Sequence, residues 1–76
     1  MKRIYVIKER WVLIGEYSQK GKVITLENAS VIRVWGTTKG LGQIALDGPT
    51  SETKLDPCGK TTFTEDAVLF SIDCRK

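Results

Sequence analysis

The stretch Val31–Gly48 changes from a strand pattern to a helix pattern within a few residues. It begins as a run of β-branched residues that ends at Trp35, which is typical of a β-strand. Three apolar residues then follow at helical spacing, at Leu41, Ile44 and Ala45. Gly48-Pro49 ends this helix after about two turns, and a helix so short is marginal in isolation. The sequence therefore predicts a short helix that is stabilised by packing on a β-sheet.

Six segments have the β-branched and aromatic composition of strands, at residues 3–8, 11–17, 23–26, 30–35, 60–63 and 67–72. Glu27-Asn28 interrupts the alternation, which predicts a bulge or a corner. In the last segment, Val68, Phe70 and Ile72 are expected to share one face, and the polar residues 50–57 predict a loop. The chain is thus expected to form a single β-rich domain over residues 1–76. The expected fold is mainly β, a small antiparallel sheet or barrel of five to six strands with one helical insertion.

The composition excludes several classes of protein. The chain contains no histidine, so the usual general base near neutral pH and any Ser–His or Cys–His pair are missing. No metal-ligand spacing is present, and no apolar run approaches the roughly 18 residues of a membrane span. The N-terminus shows no signal-peptide pattern. We therefore expect a cytoplasmic binding protein that is not an enzyme, with no catalytic residues, no metal, no cofactor and no membrane contact.

Length and charge indicate the kind of partner. A chain of 76 residues buries only a small core, so a homo-oligomer, a dimer or a tetramer, is expected. The net charge of +3 is compatible with an anionic ligand, although acidic residues are interleaved and no dense basic stripe is visible. Cys58 and Cys74 could pair in an oxidising compartment. As buried free thiols they would act as small apolar side chains.

The residues at the start of the predicted helix have the chemistry of an anion site. The first amide groups of a helix lack internal partners and can bind a phosphate. Hydroxyl groups, a positive charge and flexible backbone occur at this point, on Gly36, Thr37, Thr38, Lys39 and Gly40. Trp35 precedes them and could stack a base, so this corner suggests a nucleotide site. Equally, a threonine could simply cap the helix and Trp35 could be a core residue.

Further residues support this candidate site. Arg33 lies one pleat before Trp35 on the same face, so it needs a carboxylate or a phosphate if that face is buried. Tyr17 offers a second ring for stacking. The loop after the helix carries Thr50, Ser51 and Lys54. These side chains could close over a ligand, or the loop could merely connect the helix to the next strand.

Several short motifs occur in a fixed order along the chain. They are Thr25-Leu26-Glu27-Asn28-Ala29, Trp35-Gly36, Leu41, Ile44-Ala45, Gly48, and the final Ile72 and Cys74. This order resembles a family of small phage and prophage proteins, which carries no established catalytic site to transfer. By analogy with viral anti-defence proteins of the anti-CBASS type, the resemblance implies an oligomeric protein that sequesters a small cyclic nucleotide signal. It would act in the host bacterial cytoplasm.

Two alternative functions remain open. A β-barrel that binds single-stranded nucleic acid would use a basic and aromatic set, Lys2, Arg3, Lys8, Arg10 and Trp11. Its affinity would fall steeply as salt is added. A protein–protein inhibitor or phage accessory protein would instead have a host partner and no small-molecule ligand.

Overall fold

The β-branched runs form five strands and the segment with helical spacing forms one helix, in a computed structural model that describes residues 1–75. The strands are β1 (Lys2–Ile7), β2 (Trp11–Lys20), β3 (Val23–Val34), β4 (Lys54–Thr64) and β5 (Val68–Asp73). The helix α1 spans Leu41–Asp47, between β3 and β4. A tight turn at Lys8–Arg10 precedes β2, and a short 3₁₀ turn at Glu65–Ala67 precedes β5.

Neighbouring strands pair antiparallel in the order β4-β3-β2-β1-β5. The edge strands β4 and β5 are nevertheless consecutive in the chain, joined by only the three residues Glu65–Ala67. A link so short can reach from one edge to the other only if the sheet curls. Tyr5 of β1 and Phe63 of β4 accordingly meet, with ring centroids 5.2 Å apart. The prediction of a mainly β fold with one helical insertion is confirmed, in the form of one open, curled sheet.

Because side chains alternate along a strand, the sheet carries an apolar core on each face. On the helix face, six residues are buried together: Ile4, Ile14, Ile32, Leu41, Ile44 and Ala45. On the inner face of the curl, five others are buried: Tyr5, Leu13, Ile24, Leu26 and Ala29. The three helix residues predicted from their spacing are all among the buried set, so that prediction is confirmed.

The predicted interruption at Glu27-Asn28 is a β-bulge within the long strand β3. The register with β4 shifts between Leu26 and Ala29, and Asn28 has a φ of 52°. The bulge allows Leu26 and Ala29 both to face the inner core, although strict alternation would place them on opposite faces. On β2, a side chain at Gly15 would press on the backbone of Glu27 and Ala29. Gly15 thus leaves room for the bulge, which allows side chains from both halves of β3 to pack in the inner core.

The polar loop after α1 is shorter than predicted. It ends at Thr53, because Lys54 already pairs with Val34 as the first residue of β4. Pro57 was expected in the loop, but it lies inside β4. An edge strand tolerates a residue without an N–H group, so the proline does not break the sheet.

The prediction that Val68 and Ile72 share one face is wrong. Val68 packs against the inner core, whereas Ile72 packs against the core beneath α1. The cause is a shift in the β1–β5 register between Val6 and Ile7, which inserts one extra residue into β5. Because of this extra residue, regular alternation does not predict which core each side chain of β5 contacts.

The two cysteines are free, which agrees with one of the two alternatives. The expectation that both are buried is wrong, because Cys58 is exposed and Cys74 is only half-buried. Burial raises the pKa of the Cys74 thiol, an effect that the nearby positive charge of Lys2 partly offsets. Across residues 1–75, no helix is long and apolar enough to cross a membrane.

Candidate ligand groove

The backbone amides just before α1, at Thr38, Lys39 and Gly40, are used by the chain itself. Oε1 of Gln43 accepts hydrogen bonds from the amides of Thr38 and Lys39, at 3.2 and 3.0 Å, and from the Thr38 hydroxyl at 3.1 Å. The amide of Gly40 donates to Thr37 Oγ1 at 2.9 Å. Gly40, not a threonine, is the N-cap residue. Gln43 therefore occupies the place that the sequence suggested for a phosphate, and these donors are not free for a ligand.

The loop after α1 is tied to the end of β3. The hydroxyls of Thr50 and Thr53 donate to the carbonyls of Gly36 and Trp35, each at 2.6 Å. Thr53 Oγ1 also accepts from the Thr50 amide at 2.9 Å. Gly36 has a φ of 62°, and a side chain there would overlap the backbone of Glu52. The corner and the loop thus form one interlocked unit, and these groups have structural partners.

The structure separates other residues of the predicted site. Tyr17 lies on the inner face, and the guanidinium of Arg3 stacks on its ring with Cζ 3.9 Å from the centroid. It cannot stack a base beside Trp35, which borders the helix face. Ser51 and Lys54 are exposed. Trp35 itself is 44% exposed, so part of its indole is open to a ligand.

Trp35 borders a groove of which the sequence indicated only two residues, Arg33 and Trp35. The groove has a volume of about 380 Å³ and lies where the β1–β2 turn, the end of β3, β5 and α1 meet. Two aromatic residues, Trp35 and Phe70, and two cationic residues, Arg10 and Arg33, line it. The rest of the lining is apolar: Val6, Val12, Ile32, Leu41 and Leu69. Phe70 is 53% exposed, so the groove presents a second open ring.

The two arginines of the groove are held differently. Arg33 projects from β3, and its Nε donates to Asp56 Oδ2 at 2.8 Å. A guanidinium has five N–H donors, so one such contact leaves others for a ligand. Arg10 belongs to the tight β1–β2 turn, in which Glu9 and Arg10 have φ values of 66° and 70°. Non-glycine residues in this region cost of order 1–3 kcal/mol each and concentrate at functional sites.

Arg3 is committed to contacts outside the groove. Its Nε donates to Asp73 Oδ1 at 2.6 Å, and its Nη1 donates to the Tyr5 hydroxyl at 3.3 Å. Burial alone would lower the pKa of Arg3, but these two hydrogen bonds raise it above its ordinary value. Arg3 therefore stabilises the pairing of β1 with β5 and is a structural residue.

Sequence reasoning missed the groove because its residues come from separate segments. Phe70 reaches Val6 only through the pairing of β5 with β1, and no local pattern predicts which strand lies beside β1. Arg10 belongs to the predicted basic set, and no local pattern places it near Trp35. The available signal was Leu69-Phe70, two large apolar residues in succession on a strand, of which alternation can bury only one.

Within residues 1–75, no group of three or more His, Cys, Asp or Glu side chains is placed to hold a metal ion. In comparisons with known proteins, no family model matches the chain and no curated protein is significantly similar to it. The function is therefore inferred from the groove and from the residues of the chain.

Proposed function

We propose that this protein is a non-catalytic phage protein that binds a small phosphate-bearing nucleotide, a cyclic oligonucleotide signal, and sequesters it from host anti-phage defence. The observation that carries the proposal is the groove. It brings the rings of Trp35 and Phe70 beside the guanidinium groups of Arg10 and Arg33. Aromatic faces recognise bases, and guanidinium groups recognise phosphates.

The size and lining of the groove fit this class of ligand. Stacking of one base on an aromatic side chain contributes about 1–3 kcal/mol. Guanidinium groups bind phosphate through charge-assisted and often paired hydrogen bonds. The volume of about 380 Å³ falls within the roughly 300–1,000 Å³ of small-molecule sites. The groove thus offers both kinds of contact that a nucleotide requires.

Sequestration, not turnover, agrees with the composition of the chain. Holding a signal requires no proton transfer, and the chain has no histidine to perform one. The resemblance to small phage proteins supports action in the host bacterial cytoplasm. A homo-oligomer, a dimer or a tetramer, would bring together the arginines of several grooves for a ligand with several phosphates.

Binding of single-stranded nucleic acid is the second candidate, and one observation favours it. Trp11 is 53% exposed and follows Arg10 directly in the chain. The basic set expected for this function does not form one stripe, however, because Lys2 begins β1, Lys8 lies in the turn after β1, and Arg3 pairs with Asp73. This candidate predicts binding of polymers only, with affinity that falls steeply with salt.

Isothermal titration calorimetry with AMP and cyclic di-AMP tests the proposal. We expect Trp35→Ala to weaken binding of both ligands about tenfold or more, since a contact worth about 1.4 kcal/mol changes affinity tenfold. Arg33→Ala should also weaken binding, and its effect should shrink at high salt. Leu46→Ala is the matched control, because Leu46 is 50% exposed on α1 and does not line the groove. It should bind as the wild type does.

Lys39→Glu distinguishes the groove from the corner at the start of α1. Lys39 does not line the groove, so this change should alter affinity less than Trp35→Ala does. Loss of binding in Lys39→Glu with full binding in Trp35→Ala would place the ligand at the corner. Failure of the wild type to bind either nucleotide would contradict the proposed function.

A further inference from the structure

A second groove lies on the β1–β2 hairpin, on the face opposite to the first groove. It has a volume of about 290 Å³ and is bordered by Trp11, with Ile7 and Leu13 among the apolar residues that line it. Val12, which follows Trp11 on β2, lines the first groove. Successive side chains on a strand point to opposite faces, so the two grooves lie back to back across the β1–β2 hairpin.

The turn between the two grooves carries cations. The residues Lys8, Glu9 and Arg10 join β1 to β2, and their net charge is +1. Arg10 lines the first groove, and the next residue, Trp11, lines the second. The turn therefore places the Arg10 guanidinium at the first groove, within a segment of two cationic residues and one acidic residue.

We infer that the ligand carries at least two bases joined by phosphodiester linkages, with one base at Trp35 and another at Trp11 on the other face of the hairpin. The linking phosphate lies at the turn, beside Arg10. This inference rests on the proposed function and deepens it, because it assigns a second base site, at Trp11, to the proposed oligonucleotide.

The second groove suits a base because of its chemistry. One side of it is the Trp11 indole, which is 53% exposed and can stack on a flat ring. The rest of the lining is mostly apolar, with the Cys58 thiol and the Thr61 hydroxyl beside it. Arg10, which lines the first groove and directly precedes Trp11, can neutralise the phosphate that follows a bound base. A neutral apolar molecule would gain nothing from this charge, and a lone phosphate would gain nothing from the indole.

Affinity measured against ligand length tests this inference. The probes are AMP, linear adenosine oligonucleotides of two, three and four residues, and cyclic di-AMP. For wild type, affinity should rise tenfold or more at the length that first reaches Trp11. Trp11→Ala should abolish that rise and leave AMP affinity within twofold of the wild type. Trp11→Leu, which keeps an apolar side chain in the groove but removes the indole, should behave in the same way.

Trp35→Ala and Val23→Ala complete the experiment. Trp35→Ala should weaken every probe, AMP included, whereas Val23→Ala alters a side chain that is 47% exposed outside both grooves and should change nothing. If the Trp11 variants bind all lengths as the wild type does while Trp35→Ala is impaired, the second base site is overturned and the first groove stands. If no probe binds, the proposed function fails with it. The linear and cyclic arms show which form of the ligand is preferred.

Discussion

Gln43 shows how a side chain of the protein itself can satisfy backbone donors that the sequence suggests for an anion site. Its side-chain oxygen accepts three hydrogen bonds, two from amides and one from a hydroxyl, within the turn that starts α1. Hydroxyls, glycines and a lysine in this order suit a self-contained turn as well as a phosphate site. Only the direction of the Gln43 side chain distinguishes them, and the sequence does not specify a rotamer.

Gly36→Ala should lower the free energy of unfolding by about 2 kcal/mol or more, because Gly36 has a φ of 62° and a methyl group would overlap the backbone of Glu52. Gly42→Ala is the matched control. A methyl group added at position 42 would point into open space, and alanine favours the helix by about 0.5–1 kcal/mol. The midpoint of urea unfolding should thus fall for Gly36→Ala and rise for Gly42→Ala. Equal stability of both would show that the loop does not press on Gly36.

At the scale of the elements, the end of β3, the helix and the loop to β4 act as one unit. The Thr50 and Thr53 hydroxyls bind the carbonyls of Gly36 and Trp35, which would otherwise lie at the end of a strand without partners. The helix and its stop were predictable, because apolar spacing and Gly48-Pro49 are local signals. The hydroxyl contacts were not, because each joins residues that lie 14 or 18 positions apart.

Thr53→Val should lower the free energy of unfolding by about 1–3 kcal/mol, since it removes the hydroxyl that donates to Trp35 and accepts from the Thr50 amide. Ser51→Ala in the same loop is the control, because Ser51 is exposed, and it should fall within about 0.5 kcal/mol of the wild type. Chemical denaturation monitored by tryptophan fluorescence would report both. A loop that acts only as a mobile lid would show no difference between the two variants.

At the scale of the whole molecule, the pairing of strands distant in the chain decides where the residues of the groove meet. Strand composition predicted a small β fold with one helical insertion, because alternation and β-branched residues are properties of each segment. The groove depends instead on β5 pairing with β1, and on the register shift that separates Val68 from Ile72. Such long-range pairing is set by the total burial of two cores, which no single segment of the sequence encodes.

The two cores share strands, so they should unfold together. Ile44 lies on the buried face of α1 at 1% exposure, and Leu26 lies in the inner core at 0%. Ile44→Ala and Leu26→Ala should each lower the free energy of unfolding by about 2–5 kcal/mol. Because the two side chains lie on opposite faces of the sheet, their effects in a double variant should add to within about 0.5 kcal/mol.

Urea titrations followed by far-ultraviolet circular dichroism and by tryptophan fluorescence should coincide for each single variant, since β1, β2 and β3 contribute to both cores. Separate transitions for the two signals in Ile44→Ala would show that the helix layer unfolds independently. In that event the groove that the helix borders would open while the curled sheet stayed folded.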